Sequence, residues 1–204
     1  MDIIPAKLNQ ASEIAKIHCQ ALSGDFLPSL GENFLKIFYE TAIGKKDIYT
    51  YVVLDKGKIG GFILGTRDSK TFFKNAIFSG FIKLMPILMI QVVKNPGLLK
   101  KVFESLFYPS KEIGPKAELV IIAISKKYQS KGLGKKLISV LEDRFIENKI
   151  LEYKLTVYAD KKAVGFYEHL GFKHLSNFKL YDRMWYLYSK KISERTGNAN
   201  KKGK

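Results

Sequence analysis

The sequence predicts an α/β domain in which helices flank a mixed β-sheet. Three observations support this prediction. The apolar run 118–125 leads through a glycine-bearing turn into the stretch Leu133 to Asn148, where Leu and Phe recur every four residues as in an amphipathic helix. Two runs rich in β-branched and aromatic residues, 48–54 and 58–66, flank Asp55-Lys56-Gly57, which is typical of a hairpin. Helical spacing precedes that hairpin.

The N-terminal elements can be predicted in order. Residues 2–6 suit a first edge strand, and residues 9–22 have the spacing of an amphipathic helix with an Asn or Ser start signal. The Gly and Pro content of residues 23–31 predicts a loop. Helical spacing resumes over residues 32–43, so two helices are expected between the first strand and the hairpin.

Composition limits the kind of protein. The chain has 204 residues, of which 46% are hydrophobic and 26% charged, as expected for one globular domain. Its one cysteine, Cys19, excludes an internal disulfide and a cysteine-rich zinc site, and its helical surroundings predict a buried thiol. The net charge of +16 fits either a solvated basic surface with a basic tail or a polyanionic partner. We see no secretory signal and expect a cytoplasmic protein.

Residues Gln129 to Gly134 predict an anion-binding turn. They lie between the predicted strand and the predicted helix, where glycine lets backbone N–H groups converge and the helix dipole adds positive potential. Three lysines, at positions 131, 135 and 136, have the same sign. Leu137 excludes the dinucleotide pattern G-x-G-x-x-G, and the P-loop pattern does not occur. A phosphate-bearing ligand is therefore expected.

The remaining pattern, Q-x-x-G-x-G, resembles a motif of the GCN5-related N-acetyltransferase (GNAT) superfamily. A second segment, Asp160 to Phe172, resembles the later family motif N-x-x-A-x-x-x-Y-x-x-x-G-F, and it follows a strand-like run at 153–158. The resemblance covers residues 1–66 and 117–189. It implies a single acetyltransferase domain over residues 1–189, with a GNAT-like, mostly antiparallel mixed sheet flanked by helices and a helical insertion between strands 3 and 4.

The resemblance implies that acetyl-CoA is the cosubstrate. No metal-ligand spacing stands out in the sequence, so we expect no metal. Backbone groups of the fourth strand would pair with the pantetheine arm, and amides of the turn would bind the pyrophosphate. Asp160 replaces the family's common Asn, so it can accept but not donate a hydrogen bond. The residues implied in cofactor binding are Ile122, Ala123, Ile124, Gln129, Ser130, Lys131, Gly132, Leu133, Gly134, Lys135 and Asp160.

The resemblance also implies catalytic roles. Tyr167 matches the family tyrosine that protonates the leaving thiolate. Glu118 is our first choice for the base that takes a proton from the amine, although a salt-bridged edge glutamate fits the sequence equally well. Substrate contacts are expected from the loop after the first helix, at Asp25, Phe26, Leu30 and Glu32. The histidines at 18, 169 and 174 share no spacing, and we expect each to be structural or exposed.

The insertion at about 67–116 has three open interpretations. It contains an apolar run, 76–93, which reaches the lower length limit of a membrane span, but Lys83 and Pro86 near its centre argue against one. An amphipathic helix is predicted at 98–107. The pair could pack over one end of the sheet, act as a lid that shapes the acceptor pocket, or lie on an anionic membrane.

The predicted function is acetyl transfer by direct attack of a primary amine on a small or carrier-linked acceptor. An amino-sugar nucleotide is one candidate, since a basic pocket would favour its phosphates. The alternatives are a protein N-terminal or lysine acetyltransferase and a non-catalytic module that binds acyl-CoA, membrane or RNA. We do not expect nucleic acid as a partner, and the sequence leaves homodimer formation open. Residues 190–204 predict a basic, disordered tail.

Overall fold

A seven-stranded sheet forms the centre of the computed structural model, which describes residues 1–107, 113–159 and 163–194. The strand order is β1-β2-β3-β4-β5-β7-β6. β4 and β5 are parallel, and the other neighbours are antiparallel, which confirms the predicted mixed, mostly antiparallel sheet. The strands are β1 (Asp2–Pro5), β2 (Ile48–Asp55), β3 (Lys58–Thr66), β4 (Glu118–Ile124), β5 (Glu152–Tyr158), β6 (Lys173–Leu180) and β7 (Arg183–Lys191).

Helices cover both faces of this sheet. α1 and α3 share one hydrophobic cluster with one face, and α6 and α7 share another cluster with the opposite face. The tail predicted from residue 190 begins too early, because β7 continues to Lys191 and the Nζ of Lys190 donates to Glu142 at 2.7 Å. From residue 195 onward the predicted tail lies outside the described residues. The helices are α1 (Ala11–Ala21), α2 (Phe26–Ser29), α3 (Glu32–Ala42), α4 (Ser69–Lys94), α5 (Gly97–Phe107), α6 (Leu133–Glu147) and α7 (Ala163–His169).

The helix α6 packs on the sheet as its sequence period predicts. Leu137, Leu141 and Phe145 are fully buried because a spacing of four residues keeps them on one face. Gly65 on β3 permits this close packing, since a Cβ there would lie 2.7 Å from Cδ1 of Leu141. A larger residue at position 65 would require the side chains of Leu141 and Phe145 to move.

Two predictions need correction. The segment 23–31 contains the single-turn helix α2, so it is not entirely a loop. Cys19 is only half-buried, because it lies beside the fully buried face of α1 that Ile14 and Ala15 form. A thiol at the border of the core is therefore the correct description.

The insertion forms the two helices α4 and α5. They pack against α2 and α3 in a third hydrophobic cluster, which includes Phe26, Phe34, Leu84 and Leu98. Of the helices in the described ranges, none is both long and apolar enough to cross a membrane. Strands β3 and β4 still pair with each other, and the N–H of Ser69 donates to the carbonyl of Lys116 at 2.9 Å. The two ends of the insertion therefore meet at the edge where it leaves the sheet.

The turn between β6 and β7 is fixed by α5. Tyr181 and Asp182 form a two-residue turn with φ of +55° and +60°, which is the left-handed region that non-glycine residues rarely adopt. Lys100 donates to Asp182 at 2.8 Å, the N–H of Tyr181 donates to Glu104 at 2.7 Å, and Ser105 and Tyr181 share a hydrogen bond of 2.6 Å. These contacts hold the turn against the insertion.

Candidate active site

The parallel strands β4 and β5 separate in the middle of the sheet. Within the described strands, their ladder has two pairs, Glu118 with Lys154 and Leu119 with Leu155. On its other side, β4 has a register shift against β3 at Val120, where an extra residue interrupts the antiparallel ladder. The edge of β4 beyond Leu119 is therefore not covered by β5, and a ligand can reach its backbone.

The register of β4 shows which backbone groups face that opening. The N–H of Ser125 donates to the carbonyl of Gly60, so this pair is a hydrogen-bonded one. In an antiparallel ladder, every second residue points its backbone groups away from the partner strand. The groups of Ile122 and Ile124 consequently point away from β3, and the carbonyl of Ile124 accepts a bond of 2.9 Å from Nε2 of Gln129.

The predicted anion-binding turn begins at the end of β4. Gly132 is the N-cap of α6 and has φ of +71°, and Ser130 has φ of +60°. The first turn of a helix leaves its N–H groups without intrahelical acceptors, so the amides of Leu133, Gly134 and Lys135 are available to an anion. The side chain of Gln129 bonds to β4, and it thereby shapes the turn.

These features fit the diphosphate and pantetheine of acetyl-CoA. The amide groups of residues 130–135 suit a diphosphate, and a Cβ on Gly132 would meet no atom within 4 Å, so the turn is open there. The uncovered edge of β4 at Ile122 suits the amide-bearing pantetheine arm, which can pair with it as a further strand would. Asp160 lies outside the described residues, and its role stays a prediction.

A cavity of about 610 Å³ extends from this opening between the helices. It is lined by β4, β5 and α7 on one side and by α1, α2, α3, α4, α5 and the β6–β7 hairpin on the other. Because α7 and α1 cover opposite faces of the sheet, the cavity passes through the sheet where β4 and β5 separate. Most of the described residues that line it are apolar.

The cavity brings together most of the predicted catalytic and substrate-binding residues. Glu118, Tyr167, Asp25, Phe26 and Leu30 all line it, although they come from β4, α7, α2 and the loops beside it. Glu32 does not lie among the described lining residues, because it is exposed in the first turn of α3. Its predicted contact with the substrate stays a prediction.

Tyr167 is buried and is held by two neighbouring rings. Its ring lies 5.3 Å from that of Phe166 and 5.6 Å from that of Phe172, both measured between centroids, in edge-to-face packing. Burial raises the pKa of Tyr167 above the ordinary tyrosine value. The hydroxyl consequently stays protonated at neutral pH, as a proton donor must. Glu118 is 2% exposed and lines the same cavity from the head of β4.

His18 is a cavity residue that the sequence analysis missed. It is buried, and its Nδ1 lies 2.7 Å from the hydroxyl of the fully buried Tyr39. Burial lowers the pKa of His18 to about 4. The sequence held a signal, since His18 follows Ile14 by four residues and therefore lies on the same buried face of α1. Trp185, Thr156 and Tyr158 were also missed.

Acid is expected to destabilise the protein through His18. With a folded pKa of about 4 against an ordinary value of 6.5, the unfolded chain binds a proton that the folded chain does not bind in this range. Above pH 6.5, His18 therefore causes no change of the free energy of unfolding with pH. The free energy of unfolding falls as the pH drops from 6.5 toward 4, by about 3 kcal/mol in all. Urea unfolding at several pH values measures this loss.

The variant His18→Asn, which can still bond to Tyr39, should show a weaker pH dependence between pH 6.5 and 4 than the wild type. His169→Asn is the matched control, because His169 is exposed on α7. Parallel stability curves for wild type and His18→Asn would contradict the prediction.

The insertion also presents an apolar surface. Ile90, Val93 and Phe103 are exposed beside Lys94 and Lys100. Contact of this surface with an anionic membrane stays a prediction, which co-sedimentation with phosphatidylglycerol vesicles would test. Among the described residues, no group of three or more His, Cys, Asp or Glu could hold a metal ion.

Known proteins share sequence with part of the chain. Residues 111–186 match a family model described as "Acetyltransferase (GNAT) domain", and this range includes both the anion-binding turn and Tyr167. The protein described as "Uncharacterized protein YyaT" of Bacillus subtilis (strain 168) is 39% identical over 61 residues. That match covers 30% of this chain and 40% of the relative, so the shared segment is less than half of either protein.

Solved structures share the whole fold. An N-acetyltransferase from Staphylococcus aureus Mu50 superposes with a TM-score of 0.65 at 16% identity, covering 93% of this chain and 100% of that chain. The PaiA N-acetyltransferase from Thermoplasma acidophilum, solved in complex with coenzyme A, gives 0.56 at 14% identity, covering 94% and 98%. Residues 111–186 of this chain are therefore similar to a GNAT acetyltransferase domain, and the fold of the chain is the one seen in solved acetyltransferases.

Proposed function

We propose that this protein transfers the acetyl group of acetyl-CoA to a primary amine held in the cavity. One observation carries the proposal. The cavity connects the opening between β4 and β5, where a thioester would lie, with the acceptor side formed by α1, α2 and the insertion, and both Glu118 and Tyr167 line it. Donor and acceptor would then meet beside a carboxylate and a phenol.

The proposed reaction needs three contributions from the chain. The edge of β4 and the amides before α6 position the donor, and proximity of this kind lowers the barrier by holding the reacting atoms together. Glu118 would accept a proton from the amine, directly or through water, since an amine at neutral pH is mostly protonated. The nitrogen then forms a bond to the carbonyl carbon as the C–S bond breaks.

Tyr167 would complete the reaction by giving its proton to the departing thiolate. The products are an amide and CoA with a free thiol. The nitrogen loses two protons in all: the one taken by Glu118 before the attack passes to solvent, and the one lost after the attack restores the phenol of Tyr167. His18 stays neutral above pH 4 because burial lowers its pKa, so it adds no cation that would repel an ammonium group. Acceptors with a peptide chain are disfavoured, because α4, α5 and the β6–β7 turn cover the acceptor side.

Glu118→Gln tests the proposed base. We expect acetyl-CoA turnover, measured by thiol release, to fall by about 10²-fold, because an amide cannot take the proton. The affinity for acetyl-CoA should change little. The turnover of the variant should recover at high pH, because the amine is then mostly unprotonated and needs no base. Glu152→Gln is the matched control, since Glu152 heads the neighbouring strand β5 and is not among the described residues that line the cavity. A wild-type pH profile for Glu118→Gln would contradict the role.

The acceptor screen should include amino-sugar nucleotides, polyamines, amino acids, peptides and alkylamines, each with acetyl-CoA. If no amine is acetylated and no binding of CoA can be measured, the proposal is wrong. Binding of CoA without any acetyl transfer would instead leave a protein that holds the donor and lacks an amine acceptor of these classes.

A further inference from the structure

The two ends of the cavity differ in chemistry. Glu118, Thr156 and Tyr167 line it at the sheet, from β4, β5 and α7. At the insertion, all but one of the described lining residues of α4 and α5 are apolar. The apolar ones are Leu84, Met85, Leu88, Met89, Val92, Leu99 and Val102, and the exception is Ser105. A molecule that fills this cavity would therefore place a polar group at the sheet and an apolar group between the helices.

Building on the proposed function, we infer that the acceptor is a primary amine with an extended apolar body, either an alkyl chain or an aryl group. The ammonium end would lie toward the carboxylates of Glu118 and Asp25, both of which line the cavity. The apolar body would lie between α3, α4 and α5. A volume of about 610 Å³ is within the usual range of sites that enclose small organic ligands.

The lining argues against a nucleotide-linked sugar. Phosphates and hydroxyls would lose water at the apolar end without gaining hydrogen bonds, and burying polar groups without partners is costly. The net charge of +16 favoured such an acceptor from the sequence, but the described wall of the cavity at α4 carries no basic side chain.

The lining also indicates that the apolar end of the cavity holds the acceptor and not a long acyl chain of the donor. Met89 and Leu99 line the cavity and are more than half exposed, so the cavity reaches the surface at the insertion. An acceptor that arrives separately from the donor needs such an entrance. An acyl chain enters with CoA from the opposite side of the sheet and needs only a closed pocket.

Binding can be measured without turnover. Trp185 is the one tryptophan of the sequence and lines the cavity, so its fluorescence reports occupation. Titration of the full-length protein with n-butylamine, n-hexylamine and n-octylamine should give an affinity that rises by up to about fourfold for each added methylene, as the transfer of a methylene from water predicts. Affinity that is independent of chain length would overturn the inference.

Two neighbouring valines provide matched variants. Val92 lines the cavity, whereas Val93, on the same helix, is 77% exposed and is not among the described lining residues. Val92→Phe should fill the apolar end and abolish the preference for n-octylamine over n-butylamine, both in binding and in kcat/KM with acetyl-CoA. Val93→Phe should keep the wild-type preference. An equal effect of both substitutions would overturn the inference.

A donor series separates this inference from the proposed function. With n-butylamine fixed, acetyl-, hexanoyl- and decanoyl-CoA are compared by thiol release. A preference for long acyl groups that Val92→Phe removes would assign the apolar end to the donor and overturn the inference. Acetyl transfer to polar amines without chain-length preference would also overturn it, while the proposed function would stand. Length-dependent amine binding without any acetyl transfer would support the binding site and contradict the proposed function.

Discussion

Gly132→Val is expected to lower the affinity for CoA by about a hundredfold while the protein stays folded. Gly132 caps α6 with φ of +71°, and a β-branched residue in this left-handed region costs about 1–3 kcal/mol. The backbone would relieve that strain by rotating, and the amides of Leu133 to Lys135 would then no longer converge on the diphosphate. Each lost charge-assisted hydrogen bond adds to the effect. Isothermal titration calorimetry with CoA measures it.

Gly57→Val is the matched control for Gly132→Val. Gly57 lies in the turn between β2 and β3 with φ of +79°, and neither glycine has an atom within 4 Å of an added Cβ. Both substitutions therefore introduce similar backbone strain without a clash, but only one lies at the anion-binding turn. Unchanged CoA affinity in Gly132→Val would exclude the turn as the diphosphate site. An equal loss in both variants would point to general destabilisation.

Tyr167→Phe is expected to lower turnover by about 10²- to 10³-fold with nearly unchanged affinity for acetyl-CoA. The substitution removes the hydroxyl and keeps the ring, so packing against Phe166 and Phe172 is preserved. Without the phenol, the thiolate must leave unprotonated or take its proton from water. Steady-state thiol release gives the rate, and calorimetry gives the affinity.

Tyr153→Phe separates loss of a proton donor from loss of a buried hydroxyl. Tyr153 is fully buried, donates to Glu142 at 2.7 Å and is not among the described residues that line the cavity. This variant should lose stability, by about 1 kcal/mol for a hydrogen bond, and keep its turnover per folded molecule. A wild-type rate in Tyr167→Phe would remove its role as the acid.

The elements that carry local sequence patterns could be predicted with close boundaries. The structure confirms the hairpin of β2 and β3 and the helix α6, since β-branched alternation and four-residue spacing are properties of neighbouring residues. The single turn α2 was missed because four residues are too few for a period to show. The Gly and Pro content of residues 23–31 therefore led to the prediction of a loop there.

The cavity could not be predicted from local patterns. It depends on contacts between residues far apart in the chain, such as Val92 on α4, Thr156 on β5 and Trp185 on β7. The role of His18 in the cavity could also not be predicted from local patterns. Its place on the buried face of α1 was readable, but the opening between β4 and β5 that gives it a cavity to line is a property of the sheet.

The meeting of the insertion's two ends has a consequence for how such a protein can change. Because Ser69 bonds to Lys116 and Thr66 still pairs with Glu118, a short turn could join β3 to β4 without altering the register of the sheet. Lengthening a loop costs little, about 0.6 kcal/mol for each doubling. The helices α4 and α5 are therefore an exchangeable module. Under the proposed function, replacing them would change the acceptor side and leave the proposed donor site, from β4 to α7, unaltered.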